Sequence, residues 1–330
     1  MAEQLDRPIV GPWAMEKLGR LADYLPAFTT ALKHQPFRRV FIDAFAGAGS
    51  AYIRSDEPDV DDDLQGVLLP EDLGEQERQL LDGSPQVALK TDPPFDVYVF
   101  IERDPERLRQ LEQLKAGYGS TRDVRIHPGN CNDYFNEKLI EANPRIDWTR
   151  WRGVVFLDPY GMHVPWSTIE GLARTKALEI IVNFPLGMAI HRVLPRDGEQ
   201  LQIRRCMNND IYFGDRGWFD QVYRVEEGLF SRRVVKRDDA GDRLLNWYVG
   251  RLERAFGYVT TPYEVRSSSG KPLYHLIWAG PNRLGRKIAA HVLGLENAAR
   301  RQLTLASAAG GASPSRLAAR YRAPLGTCRS

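Results

Sequence analysis

The stretch that decides the fold is residues 40–50, VFIDAFAGAGS. Val40, Phe41 and Ile42 suit a buried strand, and Asp43 places one carboxylate at its end. After Phe45 the run from Ala46 to Ser50 carries almost no side chain. Glycines at such a place expose the N–H groups of the turn and let a ligand approach the backbone closely. An apolar strand that ends in an acid and a small-residue turn is expected at the carboxyl edge of an open α/β sheet, where ligands of such sheets bind.

Strand and helix signals alternate on both sides of it. Leu18, Leu21, Leu25, Phe28 and Leu32 recur three and four residues apart behind Pro12, which predicts a helix from about 12 to 33. FDVYVFIE (95–102) predicts a strand, and DPERLRQLEQLKAGY a helix with Leu108, Leu111 and Leu114 on one face. VRIHPGN (124–130), RGVVFLDPYG (152–161) and LEIIVNFPLG (178–187) predict three further strands. Strands separated by helical stretches imply a parallel sheet covered on both faces. Residues 188–240 break the pattern. They form an aromatic-dotted region whose ten basic residues nearly balance nine acids, expected to be helical and loop-like. A helix through Leu244, Tyr248, Leu252 and Phe256 follows, then strands over 257–265 and 272–280 joined by the turn-like RSSSGK. The expected fold is therefore α/β: a Rossmann-like doubly wound sheet of the class I methyltransferase type, mostly parallel, with a C-terminal antiparallel strand pair.

Composition limits the alternatives. The 330-residue chain, 43% hydrophobic and 27% charged, reads as an ordinary soluble globular protein. No apolar run approaches the ~20 residues of a membrane helix and no secretory leader is evident, so a cytoplasmic protein without membrane contact is expected. Cys131, Cys206 and Cys328 are scattered without ligand spacing, which points away from disulfides and from a metal site. The net charge of +2 is uneven: ten acids and no Lys or Arg lie between Ser55 and Glu77, whereas the end from Arg283 carries +8. A methyltransferase-like domain over 12–290 is expected, with an acidic insertion at about 53–82 and a helical insertion at about 188–240. Residues 291–330 form a basic, low-complexity tail.

Two ligand types use a glycine turn after a first strand. A dinucleotide needs G-x-G-x-x-G so that its pyrophosphate meets a helix N-terminus; here Gly47 and Gly49 are followed by Tyr52 where the third small residue belongs. S-adenosylmethionine has no pyrophosphate, and Asp43 can orient the turn or reach the donor's ammonium through water. The departure at Tyr52 favours the methyl donor over a nicotinamide cofactor. Glu102 ends the next strand, where a carboxylate can accept hydrogen bonds from both ribose hydroxyls. It lies farther from the glycines than the usual ~20 residues, so the fit requires the acidic segment to loop out of the sheet. In GNCND, Asn130, Asn132 and Asp133 each offer groups for an adenine ring. In FLDPYGMHVPW, Asp158, Pro159 and Tyr160 resemble the Asp/Asn-Pro-Pro-aromatic loop of base-amine methyltransferases with one proline missing, and the reaction there depends mainly on orientation. His163 is a candidate base and Trp166 a candidate stacking platform.

Taken together, KLGRLADYLPAFTTALK, FIDAFAGAGS, GSPQVAL, YVFIERD, GNCND, VVFLDPYGMHVPW, NFPLGMAIHRVL and PLYHLIWAG resemble the three-Cys-motif partner protein family, over most of residues 13–290. The family pattern tends to read Gly-Asp-x-Asn where this chain has Gly129-Asn130-Cys131-Asn132. The resemblance implies a methyltransferase-like protein that works with a radical-SAM-like protein, which carries the three cysteines. Arg192, within FPLGMAIHR, joins His163 and Trp166 as a candidate substrate contact. A nucleic-acid base amine, in DNA or RNA, is the acceptor the DPY loop and the basic tail suggest. A non-catalytic binding or assembly partner is the alternative from another class; a NAD-dependent oxidoreductase is disfavoured by Tyr52.

Overall fold

The computed structural model describes residues 9–10, 13–53, 79–140, 146–159, 161–190, 194–198, 201, 203–227, 232–267 and 270–294. Most of the acidic insertion, Tyr160, Arg192 and nearly all of the basic tail lie outside them.

In chain order the strands are β1 (Ile9–Val10), β2 (Arg38–Asp43), β3 (Ser50–Ile53), β4 (Gln79–Asp82), β5 (Val97–Glu102), β6 (Val124–Pro128), β7 (Trp151–Leu157) and β8 (Leu178–Phe184), then β9 (Tyr223–Glu227), β10 (Arg232–Lys236), β11 (Tyr258–Val259), β12 (Tyr263–Arg266) and β13 (Pro272–Gly280). The helices that matter to the site are α1 (Trp13–Ala31), α2 (Ser84–Leu89), α3 (Pro105–Tyr118), α4 (Cys131–Tyr134) and α5 (Trp166–Arg174).

The central sheet runs β11-β13-β8-β7-β2-β5-β6, with β12 also on β13. β6, β5, β2, β7 and β8 are parallel, and β13 enters antiparallel to β8 and to β11 and β12. With β11 and β12 taken as two halves of one strand, the strands in chain order lie 3-2-1-4-5-7-6, the class I methyltransferase layout expected from the sequence. The order reverses beside β2, where β5 lies on one side and β7 on the other. That reversal opens a crevice at the carboxyl ends of β2 and β7.

Alternation along each strand builds two cores. Val40 and Ile42 of β2, with Val155 and Leu157 of β7, face a layer containing Trp166, Phe213 and Tyr248. Phe41, Val154 and Phe156 face the other layer, with Leu18, Leu21, Leu25 and Phe28 of α1. Every residue of β5 and β8 is buried, as a strand covered on both sides requires.

Four features depart from the sequence reading or add to it. The glycine turn leads into β3, not a helix; β3 pairs with β4 and β1 in a small three-stranded sheet. The insertion thus leaves and returns through paired strands, and the Gly83 N–H donates to the Gly49 carbonyl at 2.8 Å to close its base. Residues 188–240 contain, besides helices Ile203–Phe213 and Gly217–Val222, an antiparallel ribbon of β9 and β10. Four of the five β9 residues are exposed, so this ribbon has no buried face to imprint an apolar alternation. The segment read as one strand over 257–265 is split into β11 and β12, both on β13. Finally, the last helix, 283–294, runs past the expected domain end and buries Ala289, Val292 and Leu293 in the α1 layer.

Candidate ligand site at the strand ends

At the end of β2 the chain turns through Gly47 (φ +63°) and Gly49 (φ +76°), both in the left-handed region that glycine tolerates. A Cβ on Gly49 would stand 2.9 Å from Leu114 Cδ2 of α3, so a side chain there would have to displace that methyl end. A Cβ on Gly47 would meet nothing within 4 Å. The backbone of Gly47 therefore borders open space, as a close ligand approach requires.

Glu102 is 7% exposed and turned toward this loop. Its Oε2 accepts the Gly47 N–H at 2.9 Å, and its Oε1 accepts the N–H groups of Arg103 at 2.8 Å and Asp104 at 3.0 Å. Two acceptances fill Oε1, whereas Oε2 retains a lone pair. The strand-end acid and the glycine turn, read separately in the sequence, are thus joined in space.

Asp43 is fully buried. Its Oδ1 accepts the Phe45 N–H at 3.1 Å, while Oδ2 has no hydrogen-bond partner. Burial lifts its pKa from 3.8 to about 7; the Ser84 hydroxyl, the Phe45 amide and the Lys17 charge oppose that rise, and the Asp158 charge adds to it. An orphaned carboxyl oxygen at a sheet edge is costly unless something binds it.

Asp158 ends β7. Its Oδ2 is ion-paired with Lys17 Nζ of α1, and its Oδ1 accepts from Asn183 Nδ2 at 2.9 Å. The two charged side chains are 13% and 19% exposed. Asn183 Oδ1, buried near the end of β8, has no partner. Pro159 is buried beside Asp158. Lys17 and Asn183 were not among the residues singled out from sequence.

The third strand end behaves differently from the expectation. Asn130 caps α4 by accepting the Asn132 N–H at 2.9 Å. Asn132 donates from Nδ2 to the His163 carbonyl at 2.8 Å, and its Oδ1 accepts from Thr168 Oγ1 at 3.1 Å. Both ends of its amide tie this loop to the segment after β7, leaving one N–H and one lone pair, so Asn132 first serves as a structural tie. Asp133 is exposed on α4. Buried Cys131, its thiol pushed up to about 12 by burial, is a core residue.

His163 is exposed overall with a partly sheltered ring; that shelter, and then the Arg103 charge, lower its pKa. Trp166 corrects the sequence reading. It is 4% exposed, packs edge-on against Tyr248 with ring centroids 5.7 Å apart, and lies under the Arg251 guanidinium at 4.0 Å. It is a core residue and offers no face to a substrate. Tyr160 and Arg192 fall outside the described residues. Among the described residues no group of His, Cys, Asp and Glu could hold a metal, and no helix is long and apolar enough to cross a membrane.

No protein-family model matches the chain, and no curated protein matches it. Solved structures do. A putative methyltransferase from Thermobifida fusca is 12% identical over 82% of this chain and 83% of its own, with a TM-score of 0.34. The putative methyltransferase yhhF from Escherichia coli is 14% identical over 64% and 83%, with a TM-score of 0.29. TYW2 from M. jannaschii, solved in complex with AdoMet, is 11% identical over 81% and 75%, with a TM-score of 0.30.

Proposed function

We propose that the chain is a methyltransferase that uses S-adenosylmethionine. The observation that carries this reading is the hydrogen bond from the Gly47 N–H to Glu102 Oε2, at 2.9 Å, which joins the loop after β2 to the end of β5 beside the strand-order reversal. The residues present fit the donor. Glu102 Oε2 faces the loop with a lone pair for a ribose hydroxyl. Open space borders Gly47, and the buried Asp43 carboxyl, with Oδ2 unpartnered, supplies a charge to balance an ammonium. When bound, the donor supplies an electrophilic methyl group.

The chain's own contribution lies in orientation. The Asp158 carboxylate, whose Oδ1 holds the Asn183 amide, and Asn183 Oδ1 set oxygens at neighbouring strand ends, a pairing suited to the two hydrogens of a primary amine. An amine held by its hydrogens presents its lone pair in a fixed direction, and such positioning supplies most of the catalysis in methyl transfer. The Asp158-Pro159-Tyr160 sequence supports a nucleobase amine as acceptor. The sequence resemblance supports joint action with a radical-SAM-like three-Cys-motif protein.

A dinucleotide fits less well. The turn enters β3, so no helix N-terminus follows the glycines to receive a pyrophosphate. The second reading, a binding or assembly module, draws on the engagement of Asp158 by Lys17 and Asn183. Calorimetry of the purified chain with S-adenosylmethionine, alone and with its partner, tests the first reading, which absence of heat in both would remove. Asp158→Ala separates the two: unaltered biological function in a folded variant would favour the module.

A further inference from the structure

We propose that Lys17 is shared between two carboxylates, held by Asp158 in the free chain and drawn to the α-carboxylate of the nucleoside-linked amino acid when the donor binds. The inference rests on the donor reading above and adds a coupling between the two halves of the site.

The argument begins with charge. α1 carries Lys17 to the carboxyl ends of β2 and β7, where its ammonium pairs with Asp158 Oδ2 and acts on the Asp43 carboxyl. Both partners of the ion pair are largely withdrawn from water. Such a pair costs desolvation on both sides, and its retention needs a reason beyond stability. A zwitterionic amino acid supplies one. Its ammonium would be balanced by the buried Asp43 carboxyl, whose Oδ2 has no partner, and its carboxylate would need a cation in the same crevice. Among the described residues, Lys17 pairs with Asp158 and its charge also bears on Asp43. Its flexible four-carbon stem lets the ammonium change partners without moving the helix.

The exchange has a consequence for the acceptor. With Lys17 drawn away, Asp158 keeps the Asn183 amide on Oδ1 and regains Oδ2 as an acceptor. An amine therefore finds its full set of acceptors after the donor's carboxylate is in place. Coupling of this kind is reciprocal, and Asp158 competes with the ligand for Lys17.

Two thioether probes, which lack the sulfonium charge, test the idea on the full 330-residue chain: S-adenosylhomocysteine, and 5′-methylthioadenosine, which keeps the nucleoside thioether and lacks the amino acid. In calorimetric titrations, Lys17→Met is expected to weaken S-adenosylhomocysteine by about tenfold or more and leave methylthioadenosine within about twofold. Asp158→Asn, which removes the competitor and keeps Lys17, is expected to strengthen S-adenosylhomocysteine by roughly three- to tenfold with methylthioadenosine unchanged. Thermal melts of each variant monitor folding, and the Asp158→Asn titration stands by itself if Lys17→Met fails to fold. Tight binding of S-adenosylhomocysteine that Asp158→Asn leaves unchanged or weakens would overturn the exchange and leave the donor reading intact. Failure of both nucleosides to bind any variant would remove the donor reading and the exchange together.

Discussion

Glu102 Oε2 accepts the Gly47 N–H at 2.9 Å, so the acid at the end of β5 clasps the turn that leaves β2. Removing it acts on loop and ligand together. Glu102→Ala is expected to weaken S-adenosylhomocysteine and methylthioadenosine alike, by roughly 10- to 100-fold, since both carry the ribose and a hydrogen bond to a charged group is worth about 1.5–3 kcal/mol. This contrasts with Lys17→Met, which separates the two ligands. Unchanged methylthioadenosine affinity in a folded Glu102→Ala variant would place the ribose elsewhere.

The two glycines of the turn should respond differently to alanine. Both sit at positive φ, so each substitution is expected to cost about 1 kcal/mol or more in thermal or urea denaturation. At Gly49 the new methyl also presses on Leu114 Cδ2, a flexible side-chain end, and stability is the property that suffers. At Gly47 the methyl enters open space, and the larger loss is expected in nucleoside affinity. Equal binding by wild type and Gly47→Ala would show that ligand does not approach that backbone.

Much of this frame was legible beforehand, and the gaps have physical causes. Strands buried on both faces write themselves as apolar runs, which is why β2, β5, β7 and β8 could be read directly. The exposed β9–β10 ribbon leaves no such pattern. The site was legible where an acid interrupts an apolar strand end, at Asp43, Glu102 and Asp158. Lys17 and Asn183 carried a signal of the same type. Lys17 stands three residues after buried Ala14 and four before buried Leu21, on the core-facing stripe of α1, and Asn183 interrupts the buried run LEIIVNF. A polar residue at a core position asks for a partner. The partners lie 141 and 25 residues away in sequence, which periodicity alone does not reveal. Trp166 misled for the converse reason: an aromatic near a functional loop looks the same whether its ring faces the crevice or the core.

Trp166→Ala should therefore behave as a core truncation. The indole is buried between Tyr248 and Arg251, and its Nε1 donates to Glu170 Oε1 at 2.6 Å. Loss of about 3–5 kcal/mol is expected in chemical denaturation, with Trp166→Phe recovering most of it. A Trp166→Ala variant of native stability that binds nucleoside normally but has lost its acceptor would restore the stacking role.

Two buried carboxyls predict how stability varies with pH. Burial is the main cause in both: Asp43 is carried from 3.8 to about 7 and Glu179 from 4.5 to about 7, with hydrogen bonds at each opposing the rise. Glu179 lies at the start of β8, accepting from the Tyr24 hydroxyl and, at 3.3 Å, from Trp278 Nε1. A folded pKa above the unfolded one means that the folded chain holds the extra proton. Stability contributed by these groups therefore falls as pH rises from about 4 to about 7 and stays low above that. For Asp43 the loss is at most roughly 4 kcal/mol. Asp43→Asn and Glu179→Gln should each flatten the dependence, seen in urea titrations as a difference from wild type that grows between about pH 4 and 7 and levels off above, the window set by those pKa values. Only Asp43→Asn should also weaken S-adenosylhomocysteine, because an amide oxygen cannot balance an ammonium charge. In wild type that affinity is expected to rise as pH increases through about 7, where Asp43 ionises, and to become flatter in Asp43→Asn. A wild-type affinity independent of pH between 6 and 8 would remove Asp43 from the ligand site and leave it a buried strand-end acid.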